Sequence, residues 1–311
     1  MPAIVIPDDA PPVMAPSAAY RAFLEKHPDV SYFDTLPGPE LAARCRDAEI
    51  VINIRSSARF TGEVLAQCPK LRMISIWGTG TDNIDLPAAA RQGITVTNTP
   101  GVAAPSIAEH TIALMLAAAR SIPRLDAEVR RGEWPRGAMM QITGKTMGII
   151  GLGAIGQRTA RLAAGLGMRV ICWTMHPREL GFEMVPLETL LRDSDIVSLH
   201  LRLSEQTRGF IGREQLAMMK PGSLFVNTAR GPIVDEEALV DTLRSGHLRG
   251  AGLDVFDTEP LPKDHPLTKL DNVVLSPHCA GITPEVLEAG LAMALSNVES
   301  FLAGSPEHVV G

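Results

Sequence analysis

The stretch GKTMGIIGLGAIGQRTARLAAGLGMRVICWT, residues 144–174, decides how this chain folds. The apolar run TMGII leads straight into Gly151, Gly153 and Gly156, helix-forming residues follow from Ala154, and a second apolar run, RVICW, comes next. Strand, glycine turn, helix and strand in that order make a βαβ unit. Gly151 allows a tight turn, Gly153 lets the backbone approach a pyrophosphate, and Gly156 lets the helix pack closely on the strand. The helix N-terminus then offers free N–H groups and a partial positive charge to the anion. The spacing predicts a dinucleotide held by Gly151, Leu152, Gly153, Ala154, Ile155 and Gly156.

Outward from this block the same alternation continues. AIVIP, AEIVINI, RMISIW and ITVTN precede it, with helical AAYRAFLEKH after the first, and DIVSLHL, SLFVNT, AGLDV and NVVLSP follow, with helical EEALVDTLRSG between two of them. Short β-rich runs separated by helices predict parallel sheets, an α/β class. PSIAEHTIALMLAAAR reads as a long helix, apolar nearly all round and therefore buried. The tail PEVLEAGLAMALSNVESFLAG is one amphipathic helix, too small for a domain, and is expected to return to the first unit. The predicted division is 1–100 plus 286–311 for a discontinuous first domain, and 101–285 for a dinucleotide-binding domain.

Bulk properties exclude several classes. The 311 residues carry a formal net charge of −6 and no basic run, which argues against nucleic-acid binding. The N-terminus lacks the basic start of a secretory signal, and IALMLAAA is too short to span a bilayer, so a cytoplasmic protein is expected. Cys45, Cys68, Cys172 and Cys279 form no C-x-x-C pair, so they read as small buried hydrophobes and no metal site is predicted. Cys279 follows His278, and on an extended segment the two would point to opposite sides.

Three segments end predicted strands of the second domain: VNTARGP at 226–232, LDVFDTEP at 253–260 and LSPHCAG at 275–281. Ligands of an open parallel sheet sit beyond the carboxyl ends of its strands, so Arg230, Asp254, Glu259 and His278 become candidates together. Any one alone would read as a solvated charge or a core histidine.

Together with GTGTDNID at 78–85, NTPG at 98–101 and SIAEH at 106–110, these motifs resemble, in order, those of the D-isomer-specific 2-hydroxyacid dehydrogenases. The resemblance spans nearly the whole chain. It implies two Rossmann- or flavodoxin-like domains with parallel sheets, and an active site in the cleft between them. It gives Arg230 the substrate carboxylate, since its planar fork grips a carboxylate as Lys cannot. His278 is implied as the proton donor to a 2-oxo acid, Glu259 as the carboxylate that orients it, and Asp254 as a neighbour of the nicotinamide carboxamide. Cofactor contacts are further implied for His200, Thr207, Thr228 and Gly281, and substrate contacts for Arg55, Trp77, Gly78, Thr79 and Gly80, where exposed N–H groups of a glycine turn make an anion nest. Glu109 and His110 match a motif but read as structural or cleft-lining. A homodimer through the 105–120 helix and the arm after it is implied as well.

Cofactor and substrate choice turn on two places. Dinucleotide-binding units usually place an acid about 20 residues past the glycines, on the ribose 2′-hydroxyl of NAD. Here WTMHPRE offers Thr174, His176 and Arg178 instead. Without a carboxylate to repel a 2′-phosphate, NADP(H) is favoured over NAD(H). Phosphoglycerate dehydrogenases carry an arginine just before the first-domain glycine turn, where this chain has Ile76, so an unphosphorylated acid such as glyoxylate or hydroxypyruvate is preferred. The alternatives are phosphoglycerate dehydrogenase or another D-2-hydroxyacid dehydrogenase, formate- or phosphite-type enzymes as minor ones, and a dinucleotide-sensing scaffold like the C-terminal-binding co-repressors.

Overall fold

Strands buried on both faces need helices above and below, and this is how the apolar runs are used. The computed structural model describes residues 2–54, 58–177 and 179–310. Arg55 and Arg178 therefore lie outside the described residues. The chain divides into two compact units, Met1–Ala103 with Ile282–Gly311, and Ala104–Gly281.

In the first unit β1 (Ile4–Ile6), α1 (Ala18–Lys26), β2 (Ser31–Tyr32), α2 (Leu41–Cys45), β3 (Ile50–Asn53), α3 (Gly62–Ala66), β4 (Met73–Ile76), α4 (Leu86–Arg91) and β5 (Thr95–Thr97) follow one another. Their five-stranded sheet is parallel, in the order β2-β1-β3-β4-β5. Alternation along the strands sorts the core. Val5, Val51, Ile74, Ile76 and Val96 face Leu41, Cys45, Phe60, Leu65 and Ala88. Ile4, Ile6, Ile50, Ile52 and Met73 face the other way, toward Tyr20 and Phe23 of α1.

The second unit runs α5 (Ala104–Ala119), α6 (Ile122–Arg130), β6 (Thr146–Ile150), α7 (Ala154–Gly165), β7 (Arg169–Trp173), β8 (Glu183–Met184), α8 (Leu187–Asp193), β9 (Ile196–Leu199), α9 (Arg213–Met218), β10 (Leu224–Asn227), α10 (Glu236–Arg244), β11 (Gly250–Leu253) and β12 (Val273–Leu275). These strands build a seven-stranded parallel sheet, β12-β11-β10-β9-β6-β7-β8. Met147, Ile149, Cys172, Leu224 and Val226 pack with Leu114 and Met115 of α5 and Ala160 and Ala163 of α7. Ile150, Ile171, Val197, Leu199, Phe225 and Leu253 pack on the opposite face with Leu190, Leu216, Leu239 and Leu243.

The last helix, α11 (Pro284–Leu302), belongs to the first unit, where Leu291, Leu295 and Val298 join the face of α1. Ser75 of β4, the polar residue on that face, donates its hydroxyl proton to the Ala294 carbonyl at 2.7 Å. A buried hydroxyl without such a partner would be costly.

Candidate active site

Strand register sets where the second unit carries chemistry. Trp173 of β7 pairs with Ile150 of β6, Ile150 with Leu199 of β9, Leu199 with Asn227 of β10, Asn227 with Leu253 of β11, and Leu253 with Leu275 of β12. Six parallel strands thus end level, and the loops that begin at Gly151, Thr174, His200, Thr228, Asp254 and Ser276 leave one edge side by side. From β6 the chain moves outward through β7 and β8, then returns with β9 on the other side of β6. A crevice opens at such a reversal, beyond the carboxyl ends of the strands.

The glycine turn occupies it. Gly151 has φ 100°, and a Cβ there would stand 2.7 Å from the His200 carbonyl oxygen across the crevice. At Gly156 a Cβ would meet the Gly151 carbonyl oxygen at 2.0 Å, so this glycine seats α7 on the turn itself. Around Gly153 a Cβ meets nothing within 4 Å, and no side chain caps the start of α7. The open space and uncapped first turn are what an approaching pyrophosphate requires.

Beside the turn, Trp173 stacks on Phe210 with ring centroids 5.2 Å apart, fixing the end of β7. Thr174 after it is half-buried and His176 exposed, and neither forms a side-chain hydrogen bond with a described residue. His200 is half-buried, its Nε2 2.9 Å from Ser198 Oγ, and burial pushes its imidazole down to about 3. Two of the expected cofactor residues have committed hydroxyls. Thr207 accepts from Ser204 N at 2.8 Å and donates to Arg202 O at 2.7 Å, closing its own loop. Thr228 Oγ1 pairs with Thr111 Oγ1 of α5 at 2.8 Å.

Toward β12 the three candidate catalytic residues gather on neighbouring loops. His278 Nδ1 lies 2.7 Å from Glu259 Oε2, with side chains 38% and 34% exposed. Glu259 Oε1 accepts from Phe256 N at 3.0 Å, so the carboxylate is fixed at both oxygens. Burial pushes the Glu259 carboxyl up, but the hydrogen bonds from His278 and Phe256 and the charges of His278 and Arg230 outweigh it. The group lies below its ordinary value. His278 Nε2 has no hydrogen-bond partner among the described residues. Arg230 is extended at φ −153°, its Nη1 donating to Ala229 O at 2.8 Å and its carbonyl accepting from Asn227 Nδ2 at 3.0 Å. The next residue, Gly231, brings the loops together: a Cβ there would lie 1.9 Å from the Phe256 carbonyl carbon.

The turn that carries His278 is held by Asp254. His278 has φ 51°, a left-handed conformation uncommon outside glycine, so the turn is not the extended segment expected from sequence. Its N–H donates to Asp254 O at 2.8 Å, while the Asp254 carboxylate accepts from Cys279 N at 3.0 Å, Ala280 N at 2.9 Å and Ser276 Oγ at 2.5 Å. With its one proton on Asp254, Ser276 Oγ can only accept from His110 Nε2 of α5, 2.9 Å away. Asp254, 1% exposed, thus already has its oxygens occupied within the turn. Cys279 is half-buried, unlike the buried Cys45, Cys68 and Cys172, which corrects the reading of all four as buried. Gly281 closes the same turn, and Glu109 is exposed on α5.

The first unit has its own glycine turn, after β4. Gly78 N–H, expected to be free for an anion, donates to Thr99 Oγ1 at 2.8 Å, and Asn98 Nδ2 donates to Thr79 O at 2.8 Å. The N–H groups of Thr79 and Gly80 are the ones without a protein partner among the described residues. Trp77 lies on α11, where a Cβ on Gly290 would come within 2.2 Å of its Nε1. Ile76 is 4% exposed and faces the α2–α4 side of the core, so it carries no information on substrate charge.

Known proteins resemble this chain in sequence and fold. The sequence model of "D-isomer specific 2-hydroxyacid dehydrogenase, NAD binding domain" matches residues 112–280. A glyoxylate reductase of Korarchaeum cryptofilum is 43% identical over 272 residues, covering 84% of this chain and 82% of that protein. A D-3-phosphoglycerate dehydrogenase of Methanocaldococcus jannaschii is 40% identical over 296 residues, 92% of this chain but 56% of the longer relative. Among solved structures, an acyclic imino acid reductase in complex with NADPH and D-Arg superposes with a TM-score of 0.91 at 31% identity, over 99% of each chain. With two parallel α/β sheets, a glycine turn at the reversal and relatives of this similarity, the chain belongs to the D-isomer specific 2-hydroxyacid dehydrogenases, a family of oxidoreductases with a nicotinamide-dinucleotide-binding domain.

Proposed function

We propose that the protein reduces a small unphosphorylated 2-oxo acid to the D-2-hydroxy acid, with glyoxylate or hydroxypyruvate as the first substrates to test, a choice supported by the glyoxylate reductases that are 43% identical to this chain. The observation that carries this reading is the Glu259–His278 pair, 2.7 Å apart, on the sheet edge that bears the glycine turn. Residues of that turn and of α7 fit a dinucleotide, as the open space at Gly153 and the uncapped helix start indicate. When bound, the nicotinamide supplies the hydride.

The remaining work falls to side chains of this chain. Glu259 accepts a hydrogen bond from Nδ1–H of His278, which fixes the ring and leaves Nε2 to carry the proton destined for the substrate oxygen. Glu259 lies below its ordinary value, so it remains a carboxylate able to accept that hydrogen bond. Arg230 binds the substrate carboxylate in bidentate fashion and polarises the neighbouring carbonyl. In the first unit, the N–H groups of Thr79 and Gly80 are the part of the expected anion nest that remains open to a carboxylate.

NADPH is the proposed cofactor. Thr174 stands where an acid would oppose a 2′-phosphate, and a relative of the same fold was solved with NADPH. A homodimer is proposed too, supported by the exposed apolar residues Ile122 (54%), Val129 (48%) and Trp134 (73%) on α6 and the segment after it. No helix among the described residues is long and apolar enough to cross a membrane, and the four cysteines are free, which fits the reducing cytoplasm.

The deciding experiment follows nucleotide oxidation with glyoxylate, hydroxypyruvate and phosphohydroxypyruvate, each with NADPH and NADH. Faster turnover of an unphosphorylated acid with NADPH is the expected result. Preference for the phosphorylated acid would transfer the protein to the activity of its phosphoglycerate dehydrogenase relatives, and no turnover with any 2-oxo acid would favour a sensing role.

A further inference from the structure

We propose that His110, Asp254 and Cys279 form a binding site for one borderline-soft divalent cation, Zn²⁺ in the first instance, and that its occupancy disables the turn carrying His278. Their ligand atoms lie within 4.8 Å of one another, although the residues come from α5, the end of β11 and the loop after β12. Imidazole, carboxylate and thiol are the donor types that Zn²⁺ takes, whereas Mg²⁺ and Ca²⁺ prefer oxygen alone. Tetrahedral zinc with bonds of about 2.0–2.3 Å places its ligand atoms roughly 3.3–3.7 Å apart. His110 Nε2 and Asp254 Oδ1 are already 3.5 Å apart. The thiol sulfur is within 4.8 Å of the other ligand atoms, so reaching a similar separation requires closing at most the difference between 4.8 and 3.5 Å, a movement within the reach of a side-chain rotation.

Access and chemistry also fit. Asp254 is buried, but the His110 side chain is 26% exposed and Cys279 is half-buried, so a cation can enter and keep a fourth position for water. Binding displaces the proton of the Cys279 thiol into solvent, and His110 keeps its single ring proton by holding it on Nδ1. The consequence follows from the hydrogen bonds already in place. Oδ1 of Asp254 accepts from Ser276 Oγ and Cys279 N, and these contacts hold the left-handed His278 in position. A cation that takes Oδ1, and takes Nε2 of His110 from Ser276, competes with both. The inhibitory consequence rests on the proton-donor role proposed for His278; the binding site does not.

The test uses Cd²⁺ as a spectroscopic stand-in for Zn²⁺, read by thiolate-to-metal charge-transfer absorbance, and requires no turnover. Cys45, Cys68 and Cys172 are buried, so the signal reports on Cys279. Expected is a band that saturates at one equivalent, disappears in Cys279→Ala, weakens at least tenfold in affinity in His110→Gln, is displaced by Zn²⁺ and is unaffected by Mg²⁺. No band, or a band that persists in Cys279→Ala, overturns the site. In the reductase assay Zn²⁺ should lower kcat of the wild type at the concentration that fills the site and leave Cys279→Ala unaffected. Equal inhibition of both proteins, or full wild-type activity with the site filled, overturns the inhibitory role.

Discussion

Gly231→Ala tests whether backbone packing, more than any side-chain contact, holds the proposed catalytic residues in register. A Cβ at this position would stand 1.9 Å from the Phe256 carbonyl carbon, 2.0 Å from its oxygen and 2.4 Å from Asp257 N, where ordinary contact starts at 3.4 Å. The obstacle is backbone on both sides, so no rotamer change relieves it. The Arg230 and Glu259 loops would have to separate by about the 1.5 Å difference between 3.4 and 1.9 Å. Misplacement of about 1 Å can cost on the order of 10²-fold in rate, and overpacking typically costs about 1–3 kcal/mol in stability. For a unit of this size that is a fall in Tm of roughly 2–4 °C per kcal/mol. The assay is kcat/KM for the preferred 2-oxo acid, with circular dichroism for fold and nucleotide binding by fluorescence for the glycine turn. Expected is a loss on the order of 10²-fold in kcat/KM with nucleotide affinity retained. Gly165→Ala, at the end of α7 where a Cβ meets nothing within 4 Å, is the matched control and should keep full activity. A Gly231→Ala protein within threefold of wild type would refute the argument that this contact aligns the site.

Three other predictions follow. His278→Ala and Arg230→Ala should each lower kcat/KM by about 10²- to 10⁴-fold, and near-wild-type turnover by either would remove that residue from the mechanism. Thr174→Asp should shift the cofactor ratio toward NADH, measured as the ratio of kcat/KM values, and an unchanged ratio would break the link between this position and the 2′-phosphate. His200, pushed down to about 3 by burial, gives an acid-side stability effect: below the unfolded value of 6.5 the unfolded chain binds a proton that the folded one does not. Stability is therefore lost as pH falls from 6.5 toward 3, by about 2–3 kcal/mol around pH 4.5–5. His200→Gln should flatten the fall in Tm over that window, and a slope equal to wild type would show that the imidazole does not stay neutral in the fold.

Sequence pattern revealed the two parallel α/β sheets because their strands are near-continuous apolar runs and their turns carry glycine. Short elements were not legible. β2 and β8 are two residues each, with no buried residue in either, so they offer no hydrophobic signal and exist because a neighbouring strand edge is available to pair with. Side-chain direction was equally hidden. Ile76 and Trp77 are adjacent, yet one enters the core and the other lies on α11, a distinction set by strand parity and by the absence of a side chain at Gly290. Gly78 was expected to offer its N–H and instead gives it to Thr99, a residue about 20 positions away that comes close because β4 and β5 pair in the sheet. The role of Gly231 was within the quoted NTARG motif, but only the approach of the 256–257 backbone shows why a side chain is excluded.

The same register that aligns six strand ends also explains why His110 and Cys279 meet although they are far apart in sequence. Leu253 and Leu275 are paired, so Asp254 and Ser276 leave the sheet together, and Ser276 hydrogen-bonds Asp254 within a single strand spacing. α5 packs against β11 and β12, which brings the ring of His110 onto Ser276. A buried carboxylate is tolerated there because it accepts hydrogen bonds from the backbone at 279 and 280 and from Ser276, and removing those partners would leave a charge without compensation. Asp254 is thus tied to the conformation of the His278 turn through its own donors. Any ligand that draws on this carboxylate, whether a cation or a carboxamide, must act on the left-handed histidine that depends on it.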